Sequence, residues 1–174
     1  MRQTKWCVIT GAPCSGKTAV INEIEQRGIR VIHEVARSYI DQQLNKGLRL
    51  DQIKSDVLTF ERHILYEKIR IQSSLPETET IFFDRGVPDS IAYYNLEGLD
   101  ATEPIRASQD TRYRRIFFFE RLDFFIDNVR SENEKTAVKL NKLLREAYRQ
   151  SDYDIEVVPV MPVKERADKV LETI

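Results

Sequence analysis

The stretch Gly11-Ala12-Pro13-Cys14-Ser15-Gly16-Lys17-Thr18 decides the fold. It matches the phosphate-binding loop G-x-x-x-x-G-K-[ST]. Before it, the apolar run Trp6-Cys7-Val8-Ile9 reads as a short buried strand. After it, Val20, Ile21 and Ile24 recur at helical spacing, and Gly28 is placed to end that helix. A plain glycine-rich turn between strand and helix is the simpler reading. The complete motif in a strand–loop–helix setting argues against it.

The residue types follow from the chemistry. Gly11 and Gly16 let the backbone turn with no Cβ in the way of a phosphate. The N–H groups of the loop and of the new helix N-terminus then point at anionic oxygens. The whole run from Gly11, Ala12, Pro13, Cys14, Ser15 and Gly16 to Lys17 and Thr18 is therefore the expected nucleotide cradle. Lys17 is expected to reach the β- and γ-phosphates, and the Thr18 hydroxyl to bind Mg²⁺.

Outward from the loop, strand-like and helix-like segments alternate. A second strand, Arg30 to His33, ends at Glu34, and a helix carrying Val35, Ala36, Tyr39 and Ile40 follows, closed by Gly47. Asp51 to Ser73 reads as one long amphipathic helix with Asp51 as its N-cap. Thr80 to Asp84 is a third strand, apolar up to its last residue, and Pro88 suits the first turn of the next helix. Part of Leu99 to Thr111 reads as a short helix, Ile116 to Phe119 as the fourth strand, and Arg121 to Arg130 as an irregular connection. Ser131-Glu132-Asn133-Glu134 is a capping-box pattern opening a helix with Ala137, Leu140, Leu144 and Tyr148 on one side. Ile155 to Val160 is the fifth strand, and Pro162 starts the last helix. The alternation predicts an α/β fold with a mainly parallel sheet and its active site at the carboxyl ends of the strands.

Bulk properties narrow the function classes. A chain of 174 residues fits one domain, 1–174, and buries a core without disulfides or structural metal. The net charge of −1 offers no overall basic footprint, so neither nucleic acid nor membrane is an expected partner. The two cysteines, Cys7 and Cys14, form no disulfide framework and no zinc spacing, which points to a reducing cytoplasm. No signal peptide is visible, and no apolar run approaches the roughly 18 residues of a spanning helix. His33 and His63 lack the spacing of a metal site or triad and read as structural.

Several residues outside the loop are candidates for chemistry. Asp84 closes an apolar strand in the manner of a Mg²⁺-holding acid; the plainer alternative is a loop-start cap for the next helix. Arg85 either neutralises charge on the transferring phosphate or pairs with a carboxylate such as Asp89 or Glu34. Glu34 is the candidate base for an acceptor hydroxyl, against the reading of a helix-start glutamate favoured by the macrodipole. Arg37 either binds substrate or holds Glu34. Asp89, with Tyr93 and Tyr94, is a candidate for the acceptor pocket, the tyrosines being equally at home in a core. Arg121 and Arg130 are candidate lid arginines, whereas Arg112, Arg114 and Arg115 read as a solvated loop.

Val8-Ile9-Thr10 into the loop, Ile32-His33-Glu34-Val35-Ala36-Arg37, Phe83-Asp84-Arg85-Gly86 with Asp89, and Leu143 to Tyr148 leading to Val158-Pro159-Val160 carry a resemblance. Over nearly the whole chain the sequence resembles a family of small P-loop proteins labelled AAA-type ATPase domains but built like kinases. That family includes the ribosylnicotinamide kinase domain of bacterial NAD regulators. The resemblance implies a three-layer P-loop fold with a five-stranded parallel sheet of order 2-3-1-4-5 and a kinase-like lid at about 121–134. It also implies ATP with Mg²⁺ and transfer to a nucleoside-like or other small hydroxyl acceptor. By position it points to Glu34 and Asp84 as the acids, Arg85 near phosphate and Arg130 in the lid.

Two function classes compete. One is a small-molecule kinase; the other is a P-loop ATPase or nucleotide-dependent regulatory protein with no small-molecule acceptor. A guanine-specific switch would show Asn/Thr-Lys-x-Asp, and the nearest run, Asn141-Lys142-Leu143-Leu144, lacks the Asp. Nor does Asp84-Arg85-Gly86 supply D-x-x-G. A remodelling ATPase needs a helical lid domain, for which the chain leaves little room. The kinase reading leads, with the acceptor and the oligomeric state left open.

Overall fold

A computed structural model of the chain describes residues 1–122 and 131–174, with side chains from Glu134 onward in the second stretch. In chain order the elements are β1 (Arg2–Gln3), β2 (Cys7–Thr10), α1 (Lys17–Gln26), β3 (Arg30–Ile32), α2 (Val35–Asn45), α3 (Leu50–Ile53), α4 (Val57–Ser73) and β4 (Ile81–Asp84). There follow α5 (Pro88–Leu96), α6 (Thr102–Ser108), β5 (Thr111–Arg112), β6 (Arg115–Phe119), α7 (Ser131–Gln150), β7 (Ile155–Val158) and α8 (Val163–Leu171).

Five strands form one parallel sheet in the order β3-β4-β2-β6-β7. In the order in which the sequence supplies these five strands, that is second, third, first, fourth and fifth, as the resemblance implied. A small parallel pair, β1 with β5, lies outside the sheet. Strands of two residues carry no periodicity, so this pair left no trace in the sequence pattern.

Both faces of the sheet are covered, which is why its strands read as continuous apolar runs. Cys7, Ile9, Phe82, Phe117 and Phe119 face one side with Val20, Ile21 and Ile24 of α1 and Ala167 and Val170 of α8. Trp6, Val8, Ile81, Phe83 and Ile116 face the other side with Tyr113, Tyr148 and Tyr153. Phe118 joins Ile91 and Tyr94 of α5 and Leu140 and Leu144 of α7. The period-2 alternation splits each strand between two layers of helices, and every large side chain so buried contributes about 1.5–3 kcal/mol.

Three expectations are corrected. The helix expected from Asp51 to Ser73 is two helices, α3 and α4. Asp56 takes the N-cap of α4, its carboxylate accepting from Thr59 N–H at 3.1 Å and from the Thr59 hydroxyl at 2.6 Å. A cap of this kind contributes about 1 kcal/mol. Asp51 pairs instead with Arg49 at 3.0 Å. The break has a consequence for the site, because it places Leu50 and Lys54 on the wall of the main cleft. Arg112 is not merely solvated: its guanidinium lies 4.1 Å from the Tyr153 ring centroid and donates to Ser151 O at 3.0 Å. The last strand ends at Val158 rather than Val160. Arg130 and most of the expected lid lie outside the described residues, as do the side chains of Ser131, Glu132 and Asn133.

Candidate active site

β2 ends at Thr10 and the chain enters the loop at Gly11, whose φ is 140°. A Cβ on Gly11 would stand 2.6 Å from the Phe119 carbonyl oxygen, so a side chain there forces the loop off the end of β6. The Lys17 ammonium is held inside the loop, donating to Gly11 O at 2.9 Å, Ala12 O at 3.1 Å and Ser15 Oγ at 3.1 Å. Burial lowers its pKa to about 8, with the Arg85 cation adding to the effect and Asp84, Glu34 and Asp89 opposing it. The loop is clamped from behind by Arg166 of α8, which donates to Ser15 O, to Pro159 O at 2.7 Å and to Glu120 O at 3.2 Å. Thr18, next to Lys17 in the first turn of α1, is exposed.

β4 lies beside β2, with Asp84 in register with Ile9, and so delivers the turn Asp84-Arg85-Gly86 next to the loop. Arg85 has a left-handed φ of 71°. That conformation costs a side-chain-bearing residue on the order of 1–2 kcal/mol. Its N–H donates to Ile9 O at 3.0 Å, which ties the turn to β2. A Cβ on Gly86 would come within 2.9 Å of the Tyr148 Oη and 3.2 Å of the Tyr113 ring. Glycine is therefore needed for the two tyrosines to close beneath the turn.

Arg85 is the hub of the site. It is 6% exposed. Its Nε donates to Glu34 Oε1 at 3.2 Å, and its Nη1 to Gly11 O at 3.2 Å and Asp89 Oδ1 at 3.3 Å. Both carboxylates named as its alternative partners are thus engaged. The guanidinium also lies over the Tyr93 ring, 5.4 Å from its centroid. Asp89 is fully buried and accepts from Thr10 Oγ1 at 2.7 Å, Arg85, Gly86 N–H at 2.9 Å and the Tyr148 hydroxyl. Every acceptor direction of this carboxylate is taken by the protein. The expectation that it meets an acceptor molecule directly is therefore revised. Asp89 holds Arg85 and the Gly86 turn in place.

Glu34 follows β3 and stands at the start of α2, with its side chain 23% exposed. Burial raises its pKa, but the Arg85 guanidinium and the Lys17 ammonium more than offset this, so it lies below the ordinary carboxylate value. From Glu34 a cleft of about 590 Å³ runs between α2, α3, α4, α5 and α7. Pro13, Glu34 and Arg85 line one end of it. Arg37 and Tyr93 also line it, and Arg37 is exposed. Tyr94 does not; it is buried among Ile91, Phe118 and Leu144. Arg121 forms a two-pronged ion pair with Glu134, at 2.6 and 2.7 Å.

Asp84 is 3% exposed, and its Oδ1 has no hydrogen-bond partner among the described residues. Burial pushes its pKa up to about 6, opposed by Arg85. A buried, unpaired hard oxygen beside the phosphate loop fits Mg²⁺, which prefers a carboxylate or two together with phosphate oxygens and water. Asp84 and the Thr18 hydroxyl are the groups that would hold it. A carboxylate whose folded-state pKa lies above its unfolded value stabilises the native state less as pH rises through that interval. From 3.8 to about 6 the loss is on the order of 3 kcal/mol, present in full above the higher value. Asp84→Asn, neutral and nearly isosteric, is accordingly expected to raise the Tm at pH 7.5 in EDTA. The same variant is expected to lose the extra stabilisation that Mg²⁺ with nucleotide gives the parent. An unchanged or lower Tm in EDTA removes the cost assigned to this buried charge.

Several residues of the site were not singled out in the sequence. Thr10, Tyr148 and Arg166 act through partners 79, 59 and 151 positions away, a proximity that only the fold creates. Lys68 and Glu61 did leave a signal: they are charged residues within the apolar stripe of α4, beside Phe60 and Ile64.

A phosphate loop at the carboxyl end of a parallel sheet, with Asp84 from the adjacent strand β4 and Glu34 from β3 beyond it, defines a P-loop nucleotide-binding protein. A family model described as AAA domain matches residues 6–166, and the chain belongs to that family. No curated protein matches. Among solved structures the fold is that of P-loop nucleoside and nucleotide kinases. Deoxyadenosine kinase from M. mycoides is 19% identical, with 97% of each chain covered and a TM-score of 0.64. Thymidylate kinase from Ehrlichia chaffeensis is 12% identical, with 98% of each chain covered and a TM-score of 0.69. The NadR protein in complex with NR is 18% identical, matching 97% of this chain and 50% of that one, with a TM-score of 0.68.

Proposed function

We propose that this protein is an ATP- and Mg²⁺-dependent phosphotransferase that moves the γ-phosphate to a hydroxyl of a small, nucleoside-like acceptor. The observation that carries the reading is the position of Glu34. Its carboxylate stays ionised against Arg85 where the phosphate loop meets a cleft large enough for a small ligand. In the proposed step Glu34 takes the proton of the acceptor hydroxyl. The hydroxyl oxygen bonds to the γ-phosphorus as the bond from that phosphorus to the β-phosphate oxygen breaks, and ADP leaves. Asp84 and the Thr18 hydroxyl would hold Mg²⁺, which when bound would supply charge neutralisation for the leaving group. Lys17 serves the β- and γ-phosphates, Arg85 the transferring group while orienting Glu34, and Arg37 the acceptor. Residues 1–174 act as one kinase-like domain; Arg130, the expected lid arginine, lies outside the described residues. The cytoplasm suits its two free cysteines.

The test is acceptor-dependent ADP formation by the purified protein with Mg·ATP and a nucleoside panel. The panel includes deoxyadenosine, thymidine and nicotinamide riboside. Phosphorylated acceptor in step with ADP is the expected result. ADP formed at one rate with and without every acceptor would assign hydrolysis instead. Lys17→Ala is expected to abolish nucleotide binding and turnover together, since the ammonium is the loop's one cation contact to the β- and γ-phosphates. A variant that binds ATP within about threefold of the parent at physiological salt, on a scale where about 1.4 kcal/mol is tenfold, would remove Lys17 from that role.

A further inference from the structure

Glu61 is a buried carboxylate in the same cleft with no part in the chemistry above. α4 turns Phe60, Glu61, Ile64 and Lys68 toward the cleft. Lys68 marks the reacting end, because its ammonium donates to Gly86 O at 3.0 Å and Ser90 Oγ at 3.1 Å, one residue beyond Arg85. Glu61 precedes it by two helical turns, about 10 Å along the axis. Around it the wall is apolar, formed by Phe60, Ile64 and Leu96. Glu61 is 8% exposed. Among the described residues it makes no hydrogen bond and no ion pair. The nearby cations are committed elsewhere: Lys68 as above, and Lys54 over the Phe60 ring, 5.2 Å from its centroid. Burial pushes the Glu61 carboxyl up; Lys68 and Lys54 oppose this, and Glu97 adds to it.

A carboxylate desolvated to this degree is costly unless a donor meets it. Among the described residues, the side of Glu61 open to a donor is the cavity. Resting on the cleft being the acceptor site, the geometry points to Glu61 as a specificity-determining residue. It accepts a hydrogen bond from an exocyclic amino or carboxamide N–H₂ on the ring of a nucleoside whose sugar hydroxyl lies at Glu34. The distance along α4 is too long for a sugar alone and suits a sugar bearing a ring. The apolar wall receives the ring faces, and the charge on Glu61 repels rings that present only a carbonyl or carboxylate at that edge.

The experiment pairs acceptors that differ at that edge: cytidine with uridine, adenosine with inosine, and nicotinamide riboside with nicotinic acid riboside. Each is titrated calorimetrically and assayed with Mg·ATP, for the parent, Glu61→Gln and Glu61→Ala. The parent is expected to favour the amino or amide member of at least one pair by about tenfold or more, the worth of a hydrogen bond to a charged group. The variants are expected to lose that ratio through KM, with kcat within about threefold, as removal of uniform binding requires. Glu61→Gln keeps the side-chain volume and decides the matter if Glu61→Ala fails to fold. Binding ratios that behave this way without phosphorylation sink the kinase reading and leave this inference standing. Phosphorylation with the ratio unchanged in both variants overturns this inference alone. Equal treatment of all pairs by the parent, or no binding of any member, also overturns it.

Discussion

Glu34→Gln is expected to lower kcat by about 10²–10⁴-fold, the contribution of a positioned general base, while ATP binding is retained. The amide keeps an oxygen for Arg85 Nε, so the 3.2 Å contact survives as a hydrogen bond and the cleft keeps its shape. What is lost is the ability to take a proton. Arg85 remains anchored by Gly11 O and Asp89, which limits the structural damage. The pH profile gives a second check. The Glu34 pKa is held below the ordinary carboxylate value, so in the parent the base is ionised throughout the neutral range. Protonation of Glu34 is then expected to cut activity only as pH drops below that value, and the variant's residual activity is expected to lose that limb. Steady-state kinetics with a phosphorylated acceptor, alongside a direct ATP titration, reads both effects. A kcat within about tenfold of the parent would show that Glu34 is not the base.

The largest stability effect is expected at Asp89 rather than at any residue of the phosphate loop. Asp89→Ala removes one carboxylate and orphans four donors: the Thr10 hydroxyl, Arg85 Nη1, Gly86 N–H and the Tyr148 hydroxyl. Breaking one side of a buried charge network costs about 3–5 kcal/mol. For a chain of this size that lowers Tm by roughly 6–20 °C. Asp89→Asn keeps the volume and one acceptor oxygen, so its loss is expected to be smaller. Its amide must still turn a donor toward another donor, because Arg85, Gly86 N–H and Thr10 all give protons. Thermal unfolding followed by circular dichroism ranks the three proteins. A Tm of Asp89→Ala within about 2 °C of the parent would mean the network relaxes onto water at little cost. Such a result would return Asp89 to the acceptor pocket.

These two variants separate what was readable from what was not. The phosphate loop was readable because its chemistry is local: glycines where no Cβ fits, then Lys17 and Thr18 at fixed spacing. The five strands were readable because both faces of the sheet are covered and each strand is a run of apolar residues. Glu34 and Asp84 were readable as acids at strand ends, since parallel strands deliver their carboxyl ends to one rim. The break between α3 and α4 is not legible in the sequence, because Asp56, not Asp51, caps α4 and the apolar periodicity runs on across the break. Nothing in Asp84-Arg85-Gly86-Val87-Pro88-Asp89 says which way a side chain turns, so the sequence alone does not place Asp89 beneath the turn. Glu61 and Lys68 are visible in the sequence only as charges in an apolar stripe, a signal shared with many solvent-facing residues at helix edges.

The sequence alone determined the class of fold, the strand order that its resemblance implied and the place where a nucleoside triphosphate is expected. The fold class and the phosphate loop rest on interactions between neighbours in the chain or on periodicity; the strand order rests on the resemblance alone. Only the tertiary structure decided that Arg85 bridges Glu34, Asp89 and the loop, that Tyr148 and Arg166 lock the two turns from behind, and that Glu61 is left facing a cavity. Those contacts join residues tens to more than a hundred positions apart. Their energies depend on burial, which a linear pattern does not specify.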